Sequence, residues 1–172
     1  PYELGGDWSD KGIVGVDRFV QRTYQLFKNH ENIANETDSL DKFNLDDLSE
    51  AEKDVYRKVN QSDDKMNSEV EKFSFNTAVA VLMELLNETS KKLKDCRKEL
   101  QSYTLKRFAT MIAPLAPHLG EECWNIIGNE EALFDKPVWF DVDKKALTVD
   151  TVTIAVQVMG KLRGKVEMPL DS

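Results

Sequence analysis

The stretch FSFNTAVAVLMELL, residues 73–86, decides the fold. It is the most apolar run of the chain, and Ala78, Val79, Leu82, Leu85 and Leu86 recur at helical spacing, which predicts a helix with a broad buried face. FSFN interrupts what precedes it, and Asn76 is placed to cap the new helix. Just upstream, SEAE at 49–52 fits a capping box, with Ser49 and Glu52 satisfying each other's end of the first turn. Val55, Val59, Met66 and Val70 carry that helix to about Lys72.

Working outward, Ser9 or Asp10 caps a helix over about residues 11–29, whose apolar stripe is Ile13, Val16, Val20, Tyr24 and Phe27 with Phe19 beside it. Residues 30–48, HENIANETDSLDKFNLDDL, are polar and acidic and read as a long exposed connection. After residue 86 a further helix runs from near Ser90 through Leu93, Leu100, Phe108 and Ile112, with a break or kink on its way. Pro117 suits the first turn of a short helix that ends at Gly128. Residues 129–150 give a loop with Trp139, Phe140 and Leu147.

The chain closes on TIAVQVMGKLRGKVEMPLDS, residues 153–172. Val152, Ile154, Val156 and Val158 alternate with small and polar residues, so this ending predicts a β-hairpin. Helices first and strands last signal a mainly α protein, a helical bundle over residues 1–150 joined to a separate unit over 151–172. A lone hairpin is marginal in water, so it is expected to open a further domain. With Pro1 in place of Met, the sequence is expected to be a piece cut from a longer chain.

At 172 residues, 41% hydrophobic and 31% charged, the sequence belongs to a globular class. No apolar run approaches the roughly 20 residues of a membrane span and no leader pattern opens the chain, which predicts a cytoplasmic setting. Cys96 and Cys123 are far apart and outside any Cys-x-x-Cys pair, so neither a disulfide framework nor a zinc site is expected. His30 and His118 are the only histidines. GGDW at 5–8 is too short for a phosphate-cradling loop. His118 with Glu121 and Glu122 could meet on a helix as an acid/base or metal pair, but no third ligand is in reach, and a structural role fits His118 better. No catalytic residue and no metal ligand is assigned. Trp124, among Cys123, Ile126 and Ile127, reads as core, and Trp8 and Trp139 read as pins at the bundle's ends.

The net charge of −8 opposes a nucleic-acid partner at first sight, yet the charge is uneven. Acids dominate residues 30–54, and Lys91, Lys92, Lys94, Arg97, Lys98, Lys106 and Arg107 face only Asp95 and Glu99 over 91–107. Arg18 and Arg22 are four apart and share a helix face, a compact display of guanidinium groups suited to a phosphate ridge. Arg57 with Lys58, and Lys161, Arg163 and Lys165 near the hairpin turn, are similar clusters. Together they point to a helical bundle gripping a nucleic-acid backbone. The alternative is a protein-interaction bundle using the apolar third helix or the acidic loop.

GGDWSDKGIVGVDRFVQRTYQLF (5–27), KFSFNTAVAVLMELLNETSK (72–91), MIAPLAPHLGEECW (111–124) and VQVMGKLRGKV (156–166) resemble, in order and spacing, the C-terminal part of bacterial-type leucyl-tRNA synthetases of class I. The likeness spans most of the chain apart from 30–50 and 92–103. It implies an anticodon-binding-type helical bundle that lies along tRNA(Leu) beside the parent's own catalytic and C-terminal domains. It also implies that the parent joins leucine to tRNA with ATP and magnesium. The ATP-binding signatures and the editing domain of the family are absent from this stretch, so the piece needs no cofactor and is expected to be inactive alone. Valyl- and isoleucyl-tRNA synthetases carry related bundles and remain alternatives. Three positions depart from the family pattern: Tyr56 where His is common, Phe140 where Pro is expected, and Met159 in place of Asn. Leucine tRNAs do not share one anticodon, so a bundle serving them is expected to hold shape and phosphates through Arg18, Arg22, Arg57, Lys58, Lys161, Arg163 and Lys165.

Overall fold

The computed structural model describes the backbone over residues 10–36, 42–148, 151–158 and 161–169, and side chains over 12–35 and 42–148. The described helices are α1 (Asp10–Lys28), α2 (Ile33–Glu36), α3 (Glu50–Glu71), α4 (Phe75–Lys92), α5 (Lys98–Ile112), α6 (Pro117–Ile126) and α7 (Lys144–Leu147). Short 3₁₀ turns fall at Leu45–Asp47 and Leu93–Asp95. The helical class expected from the sequence is what the structure has. None of the described helices is long and apolar enough to cross a membrane.

Helix α5 is the axle. Every residue from Leu100 to Ile112 is buried, and α3, α4, α6 and α2 pack around it. The expected face of α4 is the one it buries: Ala78, Leu82, Leu85 and Leu86 are at most 1% exposed, joined by Val81 and Thr89, while Val79 sits at the edge. Asn76, however, does not cap α4. Ser74 holds the N-cap position without a side-chain hydrogen bond, and the turn before it is made by Phe73 in the left-handed region (φ 55°). The helix expected from Ser90 to Ile112 is two helices, because Leu93–Asp95 tightens into the 3₁₀ turn and Arg97 is drawn across to α3.

That pull starts at the capping box. Ser49 Oγ accepts from the Glu52 N–H at 3.4 Å, and Glu52 Oε2 accepts from the Ser49 N–H at 3.0 Å. Glu52 then reaches further: its Oε1 accepts from both the backbone N–H and Nε–H of Arg97 at 2.9 Å. The guanidinium also donates to the Asp47 carbonyl at 2.7 Å. One carboxylate thereby fixes the start of α3 and the start of α5. Arg97's hydrogen bond holds the Glu52 carboxyl well down, to about 2, against the opposing cost of burial. A folded value below the ordinary 4.5 means stability that is present above that pH and lost as pH falls toward 2. Glu52→Gln should therefore cost about 1–2 kcal/mol near neutral pH. Urea melts of variant and parent should converge on acidification, and a gap that widened instead would contradict this role.

The described parts of the connection over 30–48, residues 30–36 and 42–48, are less open than the composition predicts. Ile33 and Leu48 are buried, and the Asn32 and Ala34 N–H groups donate to the carbonyls of Ile126 and Ile127 at 3.0 and 2.8 Å, tying α2 to the end of α6. Gly128, at φ 100°, ends that helix as expected. Pro117 opens it, and Gly120 lets it lie against the end of α5: a Cβ there would sit 2.8 Å from the Ala113 Cα.

Helix α1 departs from expectation along its first half. Thr23, Leu26 and Phe27 are buried, but Ile13, Val14 and Val16 are 44%, 58% and 54% exposed. The apolar stripe is real, yet only its C-terminal turns meet α6 and α4.

Candidate nucleic-acid interface

Much of the basic run over 91–107 is engaged within the bundle's own ion pairs, and its last two members are buried. Lys92 pairs with Asp54 at 2.9 Å and Glu88 at 3.6 Å, Arg97 with Glu52, and Arg107 with Asp63. Lys106 is buried. Lys91, Lys94 and Lys98 are exposed. The segment that reads as a phosphate footprint thus divides: Lys92, Arg97 and Arg107 are answered by carboxylates, whereas Lys91, Lys94 and Lys98 stand at the surface.

Arg107 is the centre of that core chemistry. Its Nη1 pairs with Asp63 and its Nη2 donates to the Asp141 carbonyl at 2.9 Å. Its guanidinium lies 4.2 Å from the Tyr103 ring centre and 4.9 Å from that of Phe140, a cation–π sandwich. Burial pushes the Asp63 carboxyl up, to about 6, with Arg107 pulling the other way. Next to it, Tyr56 Oη–H donates to Asp143 Oδ2 at 2.6 Å. Asn60 Oδ1 accepts from Tyr103 Oη–H at 3.1 Å and from the Asp143 N–H at 2.9 Å. Two of the positions that depart from the family pattern, Tyr56 and Phe140, thus serve one cluster that straps residues 140–143 to α3 and α5. Met159 lies outside the described residues.

This cluster is a fastening, not a reaction centre. Its acid and base partners are matched and buried, and burial raises the thiols of Cys96 and Cys123 to about 11 and about 12, far from thiolate reactivity. Glu121 does not meet His118; its carboxylate accepts from the Leu133 and Phe134 N–H groups at 2.9 and 3.3 Å, and His118 is exposed. Among the described residues no group of His, Cys, Asp and Glu is placed to hold a metal ion. Trp124 is core, donating to the Glu131 carbonyl at 3.0 Å, and Trp139 is fastened to Asn67 of α3 while 47% exposed. Trp8 lies outside the described residues.

The residues singled out for a phosphate backbone divide. Arg18 and Arg22 are exposed on α1, one turn apart, and Arg22 Nη2 donates to Asn87 Oδ1 of α4 at 2.9 Å. Lys58 pairs with Glu84 at 3.0 Å, and Arg57 is half-buried on the same turn of α3. The side chains of Lys161, Arg163 and Lys165 lie outside the described residues. Sequence reasoning did not pick out Lys42, Lys144 and Lys145, which line grooves of about 580–620 Å³ beside α7 together with Asp46, Asp64, Asp141 and Asp143. It also did not pick out Asn87, a polar residue with no charge to betray it.

The geometry defines a helical bundle whose paired charges fasten its interior and whose unspent cations lie on its outer helices. A family model described as the anticodon-binding domain of tRNA ligase matches residues 52–172, and the chain belongs to that family. Curated leucine–tRNA ligases resemble it from end to end: that of Petrotoga mobilis is 37% identical over 177 residues, covering 99% of this chain. That of Alkalilimnicola ehrlichii is 38% identical over 178 residues, covering 100%. The chain spans 21% and 20% of the lengths of those proteins. Its fold also matches a crystal structure of the ternary complex of Agrobacterium radiobacter K84 agnB2 LeuRS, tRNA and LeuAMS. The TM-score is 0.78 at 24% identity, over 97% of this chain and 21% of that one.

Proposed function

We propose that this chain is the helical domain with which a leucyl-tRNA synthetase holds tRNA(Leu), by phosphate and shape contacts and not by reading anticodon bases. The observation that carries the reading is the end-to-end similarity to leucine–tRNA ligases, joined to exposed guanidinium groups on α1 that have no carboxylate partner among the described residues. Phosphate contacts of this kind position a nucleic acid without reading its sequence. The division into a bundle over residues 1–150 and a hairpin unit over 151–172, with Lys161, Arg163 and Lys165 facing tRNA, belongs to the same proposal. Leucine activation with ATP and magnesium falls to the rest of the parent polypeptide.

The test is made in the full-length ligase. Arg18→Ala combined with Arg22→Ala should raise KM for tRNA(Leu) about 10- to 100-fold and leave ATP–pyrophosphate exchange unchanged. An equal fall in exchange and aminoacylation would sink the assignment. The exposed apolar half of α1, with Ile13, Val14 and Val16, favours a second reading as a protein-docking bundle. A steep loss of tRNA affinity with salt separates the first reading from the second.

A further inference from the structure

Across the bundle, basic side chains are oriented by carboxylates: Lys58 by Glu84, Lys92 by Asp54, Arg97 by Glu52, Arg107 by Asp63. A carboxylate fixes a cation and cancels its charge. Arg22 is held differently. Its partner is the amide oxygen of Asn87, 2.9 Å away on α4, which fixes one amino group and leaves the full charge in place. The remaining N–H groups of the planar fork stay free for the paired hydrogen bonds that phosphate oxygens accept.

The surroundings keep that charge unopposed. On α4, Glu84 stands one turn before Asn87, but its carboxylate is taken by Lys58, whose hydrogen bond holds it below its ordinary range. Glu88, the next residue, lies 3.6 Å from Lys92. One turn after Asn87 comes Lys91, exposed and on the same face of the helix. On α1, Arg18 is exposed one turn before Arg22; Asp17 beside it is the exposed acid of that turn.

Resting on the tRNA-binding reading, we propose that the seam between α1 and α4 is a phosphate ridge for an RNA backbone formed by Arg18, Arg22 and Lys91. Asn87 is its positioning residue, orienting Arg22 without neutralising it. The sequence displays the arginines on α1; the contribution of α4 comes only from the hydrogen bond that joins the helices.

Binding of a tRNA(Leu) transcript to the full-length ligase, measured over a range of salt concentrations, tests this. Asn87→Asp places a carboxylate against Arg22 and should weaken binding about tenfold, as Arg22→Ala does, and reduce the slope of log K against log salt by about 0.7–0.9. In an Arg22→Ala background the same Asn87→Asp change should add little. Asn87→Ala should weaken binding less and keep the slope, because the charge survives, and Lys91→Ala should remove a similar increment of slope. Wild-type affinity and slope in Asn87→Asp, or an equal loss in the Arg22→Ala background, would overturn the positioning role. Undiminished slopes in both Arg22→Ala and Lys91→Ala would overturn the ridge while leaving tRNA binding standing. Absence of salt-sensitive binding by the wild-type ligase is a different result, and it removes the underlying reading itself.

Discussion

Replacing Arg107 by Ala is expected to cost about 3–5 kcal/mol of stability at neutral pH. The substitution leaves Asp63, 5% exposed, as a buried carboxylate with no counter-charge, and it also empties the space between the rings of Tyr103 and Phe140. The dependence on pH has a defined sign. Burial already lifts the Asp63 carboxyl from its ordinary 3.8 to about 6, and losing Arg107 lifts it further. A folded value above the unfolded one means the group's contribution is fully present below about 3.8 and is lost as pH rises through the folded value. The variant should thus regain part of its deficit as the solution is acidified toward about 6; the gap to the parent narrows as it does for Glu52→Gln, but here because the variant gains stability and there because the parent loses it. Adding Asp63→Asn to the variant should recover stability at neutral pH. Urea midpoints for the single and double variants at pH 7.5 and pH 5 check both statements. A deficit independent of pH would assign the loss to packing alone.

Gly120→Val should cost about 3 kcal/mol, on the order of 6–12 °C in Tm for a domain of this size. The atoms a Cβ would meet are the Ala113 Cα at 2.8 Å and its backbone nitrogen at 3.0 Å. Backbone cannot swing aside as the end of a side chain can. Relief requires α6 to lift from α5, and α6 carries Cys123, Trp124 and Ile126 into the core. Thermal melts of Gly120→Ala and Gly120→Val form a graded pair, and a Val variant as stable as the parent would mean that the two helices separate at little cost.

What could be read from the sequence was local. The Ser49–Glu52 box, the buried face of α4, the Pro117 start and the Gly128 stop all lie within a turn or two of the residues that announce them, and each is present in the structure. What could not be read was long-range. Arg97 and Arg107 look like members of a surface basic run until Glu52 and Asp63, 45 and 44 residues away, are brought against them. The break after Lys92 was visible as a kink but not as a place, because the pull that makes it comes from α3. The exposed half of α1 carries the same period-3.6 stripe as a buried helix; periodicity reports that a face is apolar and is silent on whether anything covers it. Of the candidate interface, Arg18 and Arg22 were legible as charges sharing a face, whereas Asn87 was not, since its role depends on which helix lies next to its own.

The enclosure of α5 from Leu100 to Ile112 divides the molecule by its tolerance for change. A stretch of helix with no side open to water has no position where a side chain can be exchanged without refitting a neighbour, so sequence drift there is confined to concerted swaps. Helix α1, with most of its surface outward, can be rewritten one residue at a time. A bundle built this way can retune what its outer helices grip while the piece that holds them together stays the same.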